Sequence, residues 1–252
     1  KTHAKMMLVV RREGSELVRY SHLGTGNYHS GTARLYTDYS FMTADPEIGE
    51  DVHKIFQQLT GMGKIQKLQK LYNAPFTLHA KMLELMQNEI RNVKAGKKGH
   101  IIIKVNGLTE PKLIRGLYEA SQAGVQVDLI IRGMCRLRPG LEGVSENIRV
   151  RSIIGRFLEH TRVYWFANEG AKPVVICSSA DWMERNMLNR VETAFELSGK
   201  HAERIRRELD YYLRDNTQAW ELHSDGSYTL VQPAEGEERF SAQQALLDEL
   251  AS

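Results

Sequence analysis

In the first 60 residues, short apolar runs alternate with polar and glycine-rich breaks. Two of these runs flank a turn that contains Gly14, which predicts a β-hairpin. A glycine-rich loop follows, and then an Asp-Pro pair marks the start of a helix that glycines 61 and 63 should end. The predicted boundaries are 6–10 and 16–20 for the strands, 22–32 for the loop and 45–59 for the helix.

From residue 76 onward, the pattern is that of alternating helices and strands. A helical stripe of apolar residues comes first, and a β-α-β unit follows it, which places two parallel strands side by side. Strands are predicted at 101–105, 126–131, 148–154, 161–166 and 173–178, with a hairpin around 225–226. Helices are predicted at 76–93, 110–123 and 199–215, with two more beginning near 181 and 241. The fold class is therefore α/β.

A basic, weakly periodic connector at 60–75 separates the two regions. We place a domain boundary near residue 72, which gives predicted domains 1–72 and 73–252. The chain opens at Lys1 rather than at an initiator methionine, directly on a candidate motif. We therefore expect a piece of a longer protein, in which 1–72 is only the C-terminal part of the first domain.

Composition narrows the class of protein. The chain has 252 residues, of which 42% are hydrophobic and 26% charged, so it can bury a sizeable core. No apolar run approaches the ~20 residues of a membrane-spanning helix, and no signal peptide opens the chain. Its two cysteines, Cys135 and Cys177, exclude a disulfide scaffold and cannot by themselves complete a zinc site. A reducing cytoplasm is the expected compartment.

The net charge of +3 is unevenly distributed. Residues 221–252 hold seven acidic residues and one basic residue, Arg239, so residues 1–220 carry +9. A basic body suggests an anionic partner, and the alternative is a charge run that is only solvated.

Two of the nine histidines each begin an apolar strand and are followed two residues later by a cation. The pairs are His3 with Lys5 and His160 with Arg162. Because side chains alternate along a strand, both members of a pair project to the same face. A neutral imidazole is a good nucleophile near neutral pH, and the cation offsets charge on a phosphoryl group. The pattern therefore indicates phosphoryl chemistry.

Other residues fit an anion site. The loop at 24–27 can present backbone N–H groups to phosphate oxygens. Strand 126–131 runs into three arginines at the end of the sheet where α/β folds bind ligands, although a solvated basic loop is the alternative. These arginines are Arg132, Arg136 and Arg138. Arg156 adds a cation before His160, and Glu159 could orient that histidine.

The remaining histidines are predicted to carry no chemistry of this kind. His79 repeats the His-x-Lys pattern, but it lies within an amphipathic helix, so we interpret it as a decoy. Surface positions are predicted for His53, His100, His201 and His223.

Six segments together resemble the bacterial polyphosphate kinases of the large, histidine-phosphorylating type. They follow the order of that family and extend to about residue 195. They are KTHAK at 1–5, YSHLGTGNY at 20–28, TARLYTD at 32–38, IRGMC through RPG at 131–140, GRFLEH at 155–160 and SADWM at 179–183. The resemblance implies two phospholipase-D-like domains, each contributing one histidine. Each is an α/β structure with a mixed sheet flanked by helices, and the first is incomplete here.

The resemblance also implies an activity. An ATP:polyphosphate phosphotransferase moves the γ-phosphate of ATP reversibly onto inorganic polyphosphate through a phosphohistidine. His3 would be the phosphorylated nucleophile, and His160 would be its acid or base partner at the nucleotide site. Tyr36 would contact the adenine and Arg132 the phosphate oxygens. Supporting roles would fall to Lys5, His22, Arg156 and Arg162. The isolated chain is expected to be inactive.

Cofactor and partners follow from the same resemblance. ATP or ADP and polyphosphate would be the substrates, with Mg²⁺ held mainly by residues upstream of Lys1, so that no metal ligands are expected in this chain. No membrane span and no nucleic acid are expected. We expect a homodimer or homotetramer in the cytoplasm, with peripheral contact to the inner membrane left open.

The sequence departs from the phospholipase D motif, in which an aspartate follows His-x-Lys by four residues. Val9 and Val10 stand near that position, and the second copy has Arg162 in place of lysine and Asn168 as the nearest polar residue downstream. This favours a kinase. Two alternatives stay open: a phosphodiesterase that uses the same histidines on a lipid or nucleic acid, and a non-catalytic polyanion-binding module.

Overall fold

The computed structural model describes residues 1–61 and 66–251. Within them the strands form one three-stranded, one nine-stranded and one two-stranded sheet. Residues 62–65, which include the predicted helix-ending Gly63 and part of the connector at 60–75, lie outside the described residues.

The N-terminal region is a small antiparallel sheet covered on one face by a helix. Its elements are β1 (Lys5–Glu13), β2 (Glu16–Gly24), α1 (Ser30–Ala33), β3 (Tyr36–Thr37), β4 (Ser40–Thr43) and α2 (Pro46–Leu59). The predicted hairpin and helix are confirmed. The side chain of Asp45 caps α2 by accepting the N–H groups of Glu47 and Ile48. The predicted loop at 22–32 is too long, because β2 continues to Gly24 and α1 begins at Ser30.

The rest of the chain builds the large sheet and its helices. The strands are β5 (Leu71–Ala74), β6 (His100–Val105), β7 (Gln126–Ile131), β8 (Ile148–Ile153), β9 (Leu158–Glu159), β10 (Val163–Phe166), β11 (Val174–Ser178), β12 (Glu192–Leu197), β13 (Ala219–Leu222) and β14 (Tyr228–Leu230). The helices are α3 (Leu78–Lys94), α4 (Pro111–Gln122), α5 (Glu184–Leu188), α6 (Gly199–Arg214) and α7 (Ala242–Ala251).

The large sheet is mixed and carries helices on both faces. Its order is β14-β13-β8-β7-β6-β10-β11-β12-β5. Strands β6, β7 and β8 are parallel, and the other pairs are antiparallel. Ile101 and Ile103 of β6 pack with α3 and α4, whereas Ile102 faces the core shared with α2 and α6. The predicted β-α-β unit, and with it the α/β class with a mixed sheet flanked by helices, is confirmed.

Two strands of the large sheet, β5 and β12, were not predicted from the sequence. The predicted connector reaches residue 75, but β5 forms the sheet edge and pairs with β12, which the sequence analysis did not predict either. Buried polar side chains at Asn73 and Glu192 interrupt the apolar pattern of these strands. The helix predicted near 181 begins at Glu184 and has only five residues.

The N-terminal region lies on the large sheet and shares its core. Leu23, Val52 and Ile55 pack into the same cluster as Phe195 of β12. The buried carboxylate of Asp51 on α2 accepts the backbone N–H groups of residues 69–71, which fixes the entry to β5. Strand β3 runs parallel to β9. Across 1–61 and 66–251, no helix has the length and apolar character needed to cross a membrane.

Candidate functional site

His3 is held against a buried carboxylate that belongs to the other region of the chain. The N–H groups of His3 and Ala4 donate to the carbonyl of Val191, at 2.9 and 3.0 Å. This places the imidazole Nδ1 2.8 Å from Oε1 of Glu192, whose side chain is fully buried. Glu192 also accepts hydrogen bonds from Asn186 Nδ2 and Ser179 Oγ. Since a carboxylate only accepts, Nδ1 carries the proton and Nε2 keeps its lone pair.

Lys5 lies beside that lone pair. Its Nζ donates to His3 Nε2 at 3.0 Å, and the residue is 4% exposed. Burial, followed by the nearby Arg162 guanidinium, lowers the pKa of Lys5 to about 8. The ammonium is therefore still the major form at pH 7, but it loses its charge at a much lower pH than an exposed lysine.

His160 repeats this arrangement with the two regions exchanged: here the histidine belongs to the large-sheet region and the carboxylate to the N-terminal region. Its Nδ1 lies 2.8 Å from Oδ1 of Asp38, which belongs to the N-terminal region. Thr25 Oγ1 donates to the same carboxylate at 2.7 Å. Gly26 leaves room for it, because a Cβ there would lie 2.3 Å from Asp38 Oδ2. The glycine-rich loop that we predicted to face phosphate thus supports Asp38.

The protonation state of His160 follows from its surroundings. Burial lowers its pKa, the hydrogen bond to Asp38 raises it, and the Arg162 and Lys5 charges lower it again. The net shift is downward from 6.5, so His160 is neutral at pH 7.

Arg162 is the fixed cation of the second pair. Its Nη1 donates to the carbonyl oxygens of His160 and Thr25 and lies 3.0 Å from His160 Nε2. Its Nη2 pairs with Asp181 at 3.1 Å. Burial by itself would raise the pKa of Asp181, but Arg162 and the donors of Asn106 lower it overall. Asp181 therefore keeps its charge and holds the guanidinium in place.

The two histidine pairs form one centre. Arg162 lowers the pKa of Lys5, and Lys5 lowers that of His160, so the charges of both regions act on each other. Each imidazole is supported by a carboxylate from the opposite region of the chain. The arrangement presents two imidazoles and two cations, which suits an anionic substrate.

Tyr36 and Arg132 border this centre. The ring of Tyr36 lies 4.9 Å from that of His160, centroid to centroid. The Nε of Arg132 donates to the carbonyl of Glu159 at 2.7 Å and to Asn106 Oδ1 at 3.0 Å. Burial lowers the pKa of Arg132.

Two of the predicted supporting residues, His22 and Arg156, make contacts away from the two histidine pairs. His22 bonds to Tyr28 and Ser40. Arg156 is exposed and lies over the ring of Phe157 at 5.4 Å. The expectation that Glu159 orients His160 needs correction: the imidazole bonds to Asp38, and the Glu159 carboxylate turns to Lys104.

The remaining histidines divide as follows. His79 lies in α3, as expected, with Nε2 3.0 Å from Oε2 of Glu110. His201 and His223 are exposed as predicted. His53 and His100 are partly exposed, and His100 bonds to Asp128 at 2.7 Å.

Sequence reasoning assigned no role to three carboxylates of the centre, namely Asp38, Asp181 and Glu192. Asp38 and Asp181 stand in segments that carry the family resemblance, and that position was the available signal. Glu192 lies in none of these segments, and its role follows only from the bridge of Thr2 to Val191. Within the described part of the chain, no group of three or more His, Cys, Asp or Glu side chains could hold a metal ion.

Solved structures of known proteins share this fold. Polyphosphate kinase from Porphyromonas gingivalis superimposes with a TM-score of 0.93 at 38% identity, over 100% of this chain and 39% of that one. Phosphatidylserine synthase from Haemophilus influenzae aligns over 92% of this chain and 66% of its own, with a TM-score of 0.55 and 9% identity, which shows the fold alone. The expected α/β class with a mixed sheet flanked by helices is confirmed.

The sequence comparisons define the family. Residues 71–243 match the model for polyphosphate kinase C-terminal domain 2, and residues 1–65 match C-terminal domain 1. Polyphosphate kinase from Pseudomonas aeruginosa is 57% identical over 253 residues, which cover 100% of this chain and 36% of that protein. The chain belongs to the polyphosphate kinase family. It spans about a third of the length of the relatives it matches.

Proposed function

We propose that this chain provides the phosphoryl-transfer centre of a polyphosphate kinase, which reversibly transfers the ATP γ-phosphate to inorganic polyphosphate through phosphorylated His3. The observation that carries the proposal is the hydrogen bonding of His3, which sets the ring nitrogen that bears the proton. Glu192 fixes the proton on Nδ1, so that the Nε2 lone pair points into a centre lined by cations. Names of relatives support the substrate class, since those of 54–58% identity are polyphosphate kinases.

In the forward half-reaction, His3 Nε2 attacks the γ-phosphorus of ATP. A P–N bond forms while the bond from phosphorus to the β,γ-bridging oxygen breaks, and ADP leaves with that electron pair. The imidazole gains positive charge, which the buried Glu192 carboxylate stabilises through the Nδ1 proton. In the second half-reaction, a terminal oxygen of polyphosphate attacks the phosphorus, the P–N bond breaks, and the neutral imidazole is restored.

His160 and the cations serve the same transfer. A neutral His160 can accept a proton from, or pass it to, the oxygens of the leaving or attacking phosphate. Lys5, Arg162 and Arg132 offset the charge of two polyanions that would otherwise repel each other. Tyr36, whose ring lies 4.9 Å from that of His160, centroid to centroid, would contact the adenine ring.

Further expectations complete the proposal. Mg²⁺ would accompany the ATP phosphates, with its ligands expected mainly upstream of Lys1. The isolated chain is expected to be inactive. Assembly as a homodimer or homotetramer in the cytoplasm, with or without peripheral contact to the inner membrane, is measurable by light scattering and cell fractionation.

The test is covalent labelling from γ-labelled ATP, in the natural protein that carries this chain at its full length. His3→Ala should abolish an acid-labile, base-stable label, while His79→Ala serves as a matched control because it removes a second His-x-Lys histidine bound in α3. Intact mass should rise by one phosphoryl group, mapped to His3.

Other outcomes would overturn the proposal. Labelling that persists in the His3→Ala protein would exclude this nucleophile. Cleavage of a phosphodiester without any nucleotide would favour the phosphodiesterase. Salt-sensitive polyphosphate binding by a wild-type protein that takes no label would favour a binding module.

A further inference from the structure

The backbone segment that leads into His160 is fastened by the C-terminal helix. Gln243 on α7 is 4% exposed and makes three hydrogen bonds to this segment. Its Oε1 accepts the N–H of Phe157 at 3.0 Å, and its Nε2 donates to the Phe157 carbonyl at 2.9 Å. The same Nε2 donates to Oε1 of Glu159 at 2.7 Å.

Gly155 makes this close approach possible. A Cβ at Gly155 would lie 2.5 Å from Gln243 Oε1 and 2.7 Å from Gln218 Oε1, closer than side chains tolerate. The start of α7 is fixed as well, since the N–H of Ala242 donates to Asp215 Oδ2 at 2.8 Å. Gln243 is therefore fixed through its side chain, which bonds to the segment before His160, and through its backbone, which follows the anchored residue Ala242.

Glu159, the residue before His160, makes several of the side-chain contacts that hold this segment. Its buried carboxylate pairs with Lys104 at 2.8 Å and accepts from Thr37 Oγ1 at 2.9 Å. Thr37 Oγ1 also accepts the backbone N–H of His160 at 3.2 Å. These contacts lie on His160 itself or on the residue before it, so we expect that displacing Glu159 displaces His160.

We propose that Gln243 is a positioning residue for His160, acting through the Phe157 backbone and the Glu159 carboxylate, so that α7 forms part of the phosphoryl-transfer apparatus. The proposal deepens, and rests on, the proposed function. The acidic C-terminal segment, whose purpose the sequence leaves open, would thereby gain a role at the centre although α7 supplies no group that touches substrate.

Gln243→Glu is the sharpest test, because only the protonated acid can replace the amide donor. When ionised, the new carboxylate cannot donate to Glu159 and repels it. We expect kcat at pH 8 to fall about 10- to 100-fold, as a misplaced catalytic group does, while the KM for ATP changes little. The ratio of variant to wild-type kcat should rise as the pH falls, because protonation restores a donor.

Gln244→Glu is the matched control. Gln244 is the next residue of α7 and is exposed, and its side-chain Nε2 donates to Asp248 Oδ1 at 2.8 Å. Its kcat ratio should be near one and independent of pH. A flat ratio of the same size in both variants would overturn the proposal. If Gln243→Glu does not fold, Gln243→Leu, which removes the donor without adding charge, takes its place and should lower kcat at every pH.

A second readout separates this proposal from the proposed function. In the full-length protein with labelled histidines, NMR titration of Gln243→Leu should show the pKa of His160 moving up towards its ordinary value as the segment loosens, with the His3 titration unchanged. Unaltered titration of both rings would overturn the positioning role. A wild-type protein that never transfers phosphate from ATP would overturn the function and leave this titration result standing.

Discussion

Each half of the centre contains a histidine, a carboxylate and a cation, but the halves differ in which of these side chains is exposed. The His3 imidazole side chain is 22% exposed on a fully buried Glu192, whereas the His160 side chain is 9% exposed on an Asp38 that is 22% exposed. The cations differ in the same sense. The Lys5 ammonium donates to His3, while Arg162 bonds to Asp181, Thr25 and His160.

This difference separates a nucleophile from a positioned partner. A nucleophilic histidine needs an accessible lone pair. It also needs a carboxylate held in a fixed position that stabilises the positive charge developing on the ring. The His3 half has the buried carboxylate and the more exposed ring, and its lone pair becomes free for attack when the Lys5 ammonium turns to the phosphate. The His160 half has a neutral, largely enclosed ring that is held on several sides, which suits a group that passes a proton within one fixed geometry. Three substitutions test this difference between the two halves.

The largest effect is expected from Glu192→Gln. An amide can present its NH₂ to His3 Nδ1, which favours the tautomer that carries the proton on Nε2 and removes the nucleophilic lone pair. We expect phosphoenzyme formation, measured by rapid quench, to slow about 10³-fold, in line with the ~10⁴-fold effect of such a tautomer change in a serine protease. Glu196→Gln, an exposed site on the same strand, is the control and should react at the wild-type rate.

Asp38→Asn should have a smaller effect. It weakens the support of His160, but Arg162 and the backbone still hold that segment. We expect a loss of about 10²-fold in overall turnover, typical of impaired acid–base catalysis, with less effect on the label bound to His3. Equal losses in Asp38→Asn and Glu192→Gln, in both assays, would contradict the division of labour between the halves.

The smallest effect is a shift of a pH profile. Because the pKa of Lys5 is about 8, the free protein loses this charge as the pH rises through 8. Wild-type kcat/KM for ATP should therefore fall on the alkaline side, since this quantity reports groups of the free enzyme. Lys5→Arg keeps its charge, so its alkaline fall should move to higher pH by about one unit or more. Coinciding profiles would show that Lys5 is not the titrating group.

Local pattern was sufficient for much of the fold. Apolar periodicity and capping residues predicted the first hairpin, α2, the β-α-β unit and α6, because these elements are stabilised by neighbours in sequence or by a continuous apolar face. Strands β5 and β12 were missed. Their pairing joins residues more than 100 positions apart, and their buried polar side chains find partners only in the folded chain.

For the site, the sequence by itself determined which residues could do phosphoryl chemistry: two histidines, each with a cation two places along a strand, where alternation puts both on one face. Only the tertiary structure decided which carboxylate supports which ring. Glu192 reaches His3 across 189 residues and Asp38 reaches His160 across 122. No local spacing encodes such contacts, because they form where two regions distant in the sequence meet and bury charges that must be paired.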